Sequence, residues 1–314
     1  MAGKRSLEKE LTAVYALREQ PLSDQVVGEL RRALARKNNH LVAAAAQVAG
    51  EREIAALEPD LMQAFGRFMT DPPRTDKGCA AKAAIAEALY QISASQEDLF
   101  LQGIRHVQLE PVYGGRQDTA ARLRGVCAMA LVRMGYPLVM IELAHLLADR
   151  ELDARIAAVR AIAYGRGEAG VPLLRFKVLG GDDDPRALYE CFGALLKLAP
   201  GTSLPFVAGF LDHANAAIAE GAALALGESR LSEAFGFLKT AWGSTFDPDR
   251  RNAVLLAIAM LRSEQALDFL LALVADAPLA VANEAVAALR IYERDEKVWR
   301  RVREVAGGRG DVDL

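Results

Sequence analysis

Apolar residues recur along most of the chain at spacings of three and four positions, which is the pattern of one buried helix face. In the segment 152–180 they fall in two stretches, 156–162 and 171–178, with Gly165 and Gly167 between them. This pattern predicts two helices joined by a short turn, which is a helical hairpin.

The predicted hairpin repeats along the chain. Four Ala- and Leu-rich helix ends share one register, at residues 157–165, 191–199, 219–227 and 254–262. The repeat length is about 30 residues in the last two thirds and longer before that, a period typical of stacked helical repeats. Aspartate before proline marks a helix start at Asp184 and at Asp247, and Asp118 and Asn215 provide the same capping oxygen without proline.

The composition supports a folded helical chain. Hydrophobic residues make up 52% of the 314 residues, and the net charge is only -3, so the sequence is not that of a disordered protein. The 38 basic residues are balanced by 41 acidic ones, which removes the overall basic character expected of a nucleic-acid-binding domain. No apolar run approaches the roughly 18 residues of a membrane span. The charged start of the chain does not resemble a signal peptide. We therefore predict a soluble, cytoplasmic protein without a membrane segment.

The Ala-rich first helices and the Asp-Pro starts resemble HEAT repeats, and the repeat length is similar to the short bacterial form found in bilin-lyase-type HEAT-like proteins. We therefore predict an all-α fold, a right-handed α-α superhelix (a HEAT-like solenoid) of about nine helical hairpins. One solenoid domain is expected over residues 1–306. Within it the charged segments 1–37 and 294–306 are predicted to be an N-terminal cap hairpin and a C-terminal cap helix, and residues 307–314 a flexible tail.

Two insertions interrupt the N-terminal third of the repeat, at residues 70–78 and 110–118. Insertions in repeat arrays form loops on one face, often the binding face. The second insertion contains Tyr113 and Arg116 on either side of two glycines, and we name both as candidate partner-binding residues. A plain surface loop with a glycine turn is the alternative.

Histidines and cysteines give little sign of catalysis. Iron-binding HEAT proteins of the deoxyhypusine hydroxylase type use His-Glu pairs, and none of the four histidines of this chain is followed by glutamate. The glycines at 165, 167 and 170 match a dinucleotide spacing but join two predicted helices and follow no strand. The three cysteines, at 79, 127 and 191, are expected to be buried thiols. We expect no metal site, no cofactor and no catalytic constellation.

One recurring pattern of cations remains. Arg67, His145 and Lys177 each precede an apolar pair near the end of a predicted second helix, with Arg105 and His106 at the looser equivalent position and Arg175 beside Lys177. The resemblance implies that second helices line the concave face, so these side chains are predicted to form a ladder for an anionic partner. Alternatively, they only complement the dipoles of the helix ends.

The function that fits these observations is a non-catalytic protein-protein interaction scaffold. It would bind a macromolecular partner, a protein with an acidic segment, through its concave face and the N-terminal insertion loops. Nucleic acid is not the expected partner. Two alternatives stay open: a bilin-lyase-like chromophore-handling protein, which predicts an apolar pocket beside Tyr113, Arg116 and His145, and a nucleic-acid-binding HEAT-like protein.

Overall fold

The computed structural model describes residues 2–312, with side chains from residue 7 onward, and 74% of the chain is helical. It divides into two compact units, Met1–Gly165 and Arg166–Leu314. The all-α helical-repeat fold predicted from the sequence is confirmed.

From residue 2 onward, the first unit contains ten α-helices and a short β-ribbon. The helices are α1 (Ala2–Ala16), α2 (Asp24–Leu34), α3 (Asn39–Glu51), α4 (Glu58–Phe68), α5 (Pro72–Thr75), α6 (Ala80–Gln91), α7 (Glu97–Ile104), α8 (Ala121–Met134), α9 (Val139–Leu147) and α10 (Leu152–Tyr164). Single 3-10 turns lie at Ala55–Leu57 and Lys77–Cys79, and the strands are β1 (Leu109–Val112) and β2 (Gly115–Asp118).

The second unit is helical along the part that the structure describes. Its helices are α11 (Val171–Gly180), α12 (Pro185–Leu198), α13 (Pro200–Ala208), α14 (Ala216–Ser229), α15 (Ala234–Ser244), α16 (Pro248–Met260), α17 (Glu264–Asp276), α18 (Leu279–Leu289) and α19 (Glu296–Arg309), with 3-10 turns at Glu168–Gly170 and Arg290–Tyr292. Without the single turn α5, residues 2–312 contain 18 α-helices, the number expected for about nine hairpins.

Small residues let the first helices of successive pairs pack closely. In the first unit α3 packs on α6, α6 on α8 and α8 on α10, and in the second α12 packs on α14 and α14 on α16. A Cβ built on Gly50 would lie 2.7 Å from the Cα of Ala88, and one on Gly227 would lie 2.5 Å from the carbonyl oxygen of Ala257. The Ala and Gly content of these helices therefore sets the distance between neighbouring repeats.

Three of the four predicted helix starts are confirmed. The side chain of Asp184 accepts a hydrogen bond from the backbone N–H of Arg186, that of Asn215 from Ala217 and that of Asp247 from Arg250. Each bond satisfies an N–H that the first helical turn leaves without a partner. The fourth is wrong, because Asp118 ends β2 and α8 begins at Ala121 after the N-cap residue Ala120, whose backbone N–H bonds to Asp118 Oδ1.

Both insertions have more secondary structure than expected. Residues 70–78 contain the single turn α5 and part of a 3-10 turn, and residues 109–118 form an antiparallel two-stranded ribbon in which Leu109 pairs with Asp118 and Val112 with Gly115. At the other end of the chain, α19 continues to Arg309, so residues 307–309 are helical, whereas residues 313 and 314 of the predicted tail lie outside the described residues.

The cysteines are as predicted. All three are buried and free of disulfides. Each helix within residues 2–312 is too short or too polar to traverse a lipid bilayer.

Candidate functional site

A cleft of about 510 Å³ opens in the first unit between the end of α7 and the exposed side of α9. We call it the Arg105 cleft. Its lining consists of Ile104, Arg105, Val107, Arg124, Ile141, Glu142, His145, Leu146 and Asp149. Helix α7 ends at Ile104, so Arg105 is its C-cap residue and the chain turns there toward β1.

An ion pair between α7 and α9 forms one wall of the cleft. The Nε of Arg105 donates to Oε2 of Glu142 at 3.0 Å, and its Nη2 donates to the other carboxylate oxygen. The side chain of Arg105 is 62% exposed, whereas that of Glu142 is only 9% exposed. The hydrogen bond from Arg105 holds the pKa of Glu142 below its usual value, and the same bond raises the pKa of Arg105. The positive partner of the pair therefore faces solvent and the negative partner lies behind it.

A second, buried cation forms the floor of the cleft. Arg124 on α8 donates from Nη1 to Asp118 Oδ2 at 2.7 Å and to the carbonyl oxygen of His106 at 2.9 Å, and from Nη2 to Asp149 Oδ1 at 3.0 Å. Its side chain is 2% exposed. Arg124 thus joins the base of the ribbon to the turn before α10 and keeps the floor rigid.

The rim of the cleft exposes apolar surface. Both Val107, which is 58% exposed, and Ile141, which is 55% exposed, line the cleft. On α9, Ile141 and His145 are both exposed and lie four positions apart, so they share one face of the helix, and the N-cap residue Leu138 is exposed as well. A ligand in the cleft would meet apolar side chains, one exposed guanidinium and one imidazole.

Of the predicted site residues, the structure brings Arg105 and His145 together at this cleft. His106, next to Arg105, is half-buried, and its Nε2 lies 3.3 Å from Oε1 of Gln108. Tyr113 and Arg116 are exposed on the ribbon and are not part of the cleft lining. The chromophore-handling alternative predicted a pocket lined by Tyr113, Arg116 and His145. Of these three residues, only His145 lines the Arg105 cleft.

The other cations of the predicted ladder have partners within the protein. Arg67 donates from Nη2 to the carbonyl oxygens of Leu34 at 2.6 Å and Arg36 at 3.1 Å, just past the end of α2. In the second unit the cations are similarly occupied: Arg175 donates to the carbonyl oxygen of Thr202 and lies over the ring of Phe206, and Lys177 Nζ is 2.8 Å from Asp182 Oδ2. The ladder as a single binding surface stays a prediction.

The sequence analysis did not identify Arg124, the buried cation at the cleft floor, although a recurring spacing between aspartate and a cation indicates it. In three successive repeats of the first unit an aspartate before the first helix is followed six positions later by a buried cation on that helix: Asp76 and Lys82, Asp118 and Arg124, Asp149 and Arg155. The first two pairs are ion pairs, and Arg155 donates to the carbonyl oxygens of Asp149 and Arg150. Within residues 2–312 no group of three or more His, Cys, Asp or Glu is arranged to hold a metal ion.

Comparison with known proteins gives one family match. Residues 203–290 match the family model of HEAT repeats. The sequence matches none of the curated proteins.

Three solved structures are similar to the chain at low identity. The complex of CpcE and CpcF of phycocyanin lyase from Nostoc sp. PCC7120 is 15% identical, over 91% of this chain and 96% of that chain, with a TM-score of 0.38. Human deoxyhypusine hydroxylase in complex with glycerol is 17% identical over 93% and 99%, with a TM-score of 0.28. An engineered protein is 16% identical over 96% and 88%, with a TM-score of 0.35.

The family match agrees with the paired helices and their close-packed Ala-rich faces. The chain therefore contains HEAT repeats, which the family model locates at residues 203–290.

Proposed function

We propose that this protein is a non-catalytic scaffold and that the Arg105 cleft binds an acidic segment of a partner protein. HEAT repeats bind protein partners, and stacked repeats offer extended preformed surfaces for this purpose. The observation that carries the proposal is the arrangement of charge in the cleft: the exposed polar groups are Arg105 and His145, whereas the carboxylates of Glu142 and Asp149 are largely buried behind them.

The partner segment should carry apolar residues as well as acidic ones. Val107 and Ile141 leave more than half of their surface exposed at the rim, and exposed apolar residues beside a concave site are typical of protein-binding surfaces. A carboxylate of the partner would meet the guanidinium of Arg105 and the imidazole of His145 while its apolar neighbours cover Val107 and Ile141. The near balance of 38 basic and 41 acidic residues disfavours a nucleic-acid partner, for which a clearly basic domain is expected.

The experiment uses two variants, one that repels an acidic partner segment from the cleft and one that cross-links the partner at a defined position. In one variant, Ile141→Glu and His145→Glu add negative charge to the exposed face of α9 without touching buried residues. In another, a photo-reactive amino acid replaces Val107. The matched controls are Leu22→Glu and the same photo-reactive residue at Leu22, an apolar residue of the first unit with similar exposure, 57%.

The proposal predicts that a partner from extracts of the source cells cross-links from position 107 and not from position 22. The α9 variant should lose this partner, whereas Leu22→Glu should retain it. Equal recovery of the partner by the α9 variant and the wild type would show that the cleft is not the binding site.

A further inference from the structure

The β-ribbon formed by β1 and β2 contributes no residue to the lining of the Arg105 cleft. An isolated pair of four-residue strands is marginally stable in water, yet this ribbon is held firmly at its base. Oε1 of Glu110 accepts hydrogen bonds from Gly78 N at 2.6 Å, Gln108 Nε2 at 2.6 Å and Thr119 Oγ1 at 2.9 Å. These bonds outweigh burial, which alone would raise the pKa of Glu110, so its pKa lies below the usual value. At the end of β2, Asp118 binds the buried Arg124.

The pairing of the ribbon determines which backbone groups face outward. Two residues, Tyr113 and Gly114, connect the strands, so Val112 and Gly115 form the first hydrogen-bonded pair. Hydrogen-bonded pairs alternate with non-hydrogen-bonded ones in an antiparallel ladder. The bond from Thr119 N to Gln108 O, at 3.0 Å, continues that alternation beyond the strands.

The two edges of the ribbon are consequently different. On β1 the outward positions are Leu109 and Pro111, and Pro111 has no N–H to offer. On β2 the outward positions are Arg116 and Asp118, whose backbone N–H and C=O groups point away from β1. Strand β2 is exposed from Gly115 to Gln117. One edge is therefore blocked by proline, and the other is open to a further strand.

The charges of the ribbon indicate the chemistry of that strand. Arg116 is exposed, whereas the two carboxylates of the strands, Glu110 and Asp118, are buried or nearly so and already bonded. The accessible charge of the ribbon is therefore positive. Leu109, Val112 and Tyr113 add exposed apolar surface beside it.

We propose that the outer edge of β2 binds an extended, acidic segment of a partner protein as a third strand. The inference rests on the proposed function in one respect, that the partner is a protein, and it names a second contact surface outside the cleft. In this mode, backbone hydrogen bonds at Arg116 and Asp118 hold the segment, and its acidic side chains pair with Arg116.

The probe is a dodecapeptide taken from a displayed random library. The library is selected on the wild-type protein and then depleted on Arg116→Pro, which removes an outward N–H but none of the ladder donors. Leu109→Pro is the matched control, because it removes an outward N–H from the opposite edge. Arg116→Gln keeps the N–H and removes only the charge.

We expect peptides that bind the wild type and Leu109→Pro alike, bind Arg116→Pro at least about tenfold more weakly, and bind Arg116→Gln with an intermediate loss. In the wild type, hydrogen exchange followed by NMR should show the amides of Arg116 and Asp118 unprotected alone and protected by the peptide. This measurement needs no variant, so it decides the question even if proline disturbs the ribbon.

Three outcomes would overturn the inference. No peptide survives the depletion, a surviving peptide leaves both amides unprotected, or the amides become protected with rising protein concentration alone, which would indicate pairing with a second copy of this chain. In the first of these outcomes, the peptides selected on the wild type before depletion are tested as well: if they bind Arg116→Pro normally but do not bind the Ile141→Glu/His145→Glu variant, the ribbon edge is refuted and the cleft proposal stands.

Discussion

Lys82 Nζ lies 2.9 Å from Asp76 Oδ2, and both side chains are completely buried. The carboxylate also accepts the backbone N–H groups of Ala81 and Lys82 at the start of α6 and the side-chain amide of Asn39. One ion pair thus caps α6 and ties it to α3 and to the insertion at residues 70–78.

Removing the cation of this pair should strongly destabilise the first unit. Lys82→Met leaves Asp76 as a buried charge without its counter-ion, and losses of about 3 to 5 kcal/mol are typical for breaking a buried pair in this way. Urea denaturation gives the free energy of unfolding. The matched control is Arg31→Met, which breaks an exposed pair with Asp60 and should cost at most about 1 kcal/mol. Similar losses for the two variants would contradict the structure.

Two glycine substitutions in the second unit should have opposite signs. A Cβ on Gly227 in α14 would lie 2.5 Å from the carbonyl oxygen of Ala257, so Gly227→Ala should force α14 and α16 apart and cost about 1 to 3 kcal/mol. Gly193 in α12 has no atom within 4 Å of a built Cβ, so Gly193→Ala should stabilise by up to about 1 kcal/mol through helix propensity. Thermal unfolding of both variants measures the difference. A neutral Gly227→Ala would mean that the helices are less closely packed than described.

Acidification should lower stability through His106. Burial lowers the pKa of His106, and nearby Lys82 and Arg124 act in the same direction against Gln108 and Asp118. As the pH falls through about 6.5, the usual imidazole value, the unfolded chain takes up a proton that the folded chain does not, so the free energy of unfolding decreases until the pH passes below the folded pKa.

The test compares urea denaturation at about pH 7.5 and about pH 5.5. His106→Gln should lose part of the pH dependence of the wild type, whereas His40→Gln, at an exposed position, should retain it. An unchanged pH dependence in His106→Gln would show that this histidine is not responsible.

The three cysteines should be unreactive in the folded protein. Burial raises the pKa of Cys79 and of Cys191 to about 12, and it raises that of Cys127 as well. Only the thiolate reacts with maleimides or disulfide reagents. Labelling near pH 8 should therefore be negligible in native buffer and reach three thiols per chain in denaturant. Rapid native labelling of one thiol would reveal local opening at that helix.

The site was predictable only in part. The spacing of cations in the sequence identified Arg105 and His145, which line the cleft. It also named Arg67 and Lys177, whose charges the fold uses on carbonyl oxygens and on Asp182. A cation that lines a cleft and a cation that binds a group of the fold have the same position in the sequence pattern, near a helix end. The sequence does not show which carbonyl or carboxylate oxygen lies within reach of each cation.

The β-ribbon was also not predictable from the sequence. Pro111 and the short apolar stretches around it did not indicate strands in the sequence. The ribbon is held in place because Glu110 and Asp118 find donors on Gly78 and Arg124, which belong to the 3-10 turn before α6 and to α8.

By itself, the sequence determined the helical pairs, their repeat length, their Asp and Asn caps and the burial of the cysteines. These features depend on local periodicity and on hydrogen bonds that span a few residues. Only the tertiary structure decided the cleft, the ribbon and the assignment of each cation to a partner. The Arg105–Glu142 bond of the cleft and the Gly78–Glu110 bond of the ribbon join residues 37 and 32 positions apart, and such contacts exist only once neighbouring repeats have packed at the distance that their small residues allow.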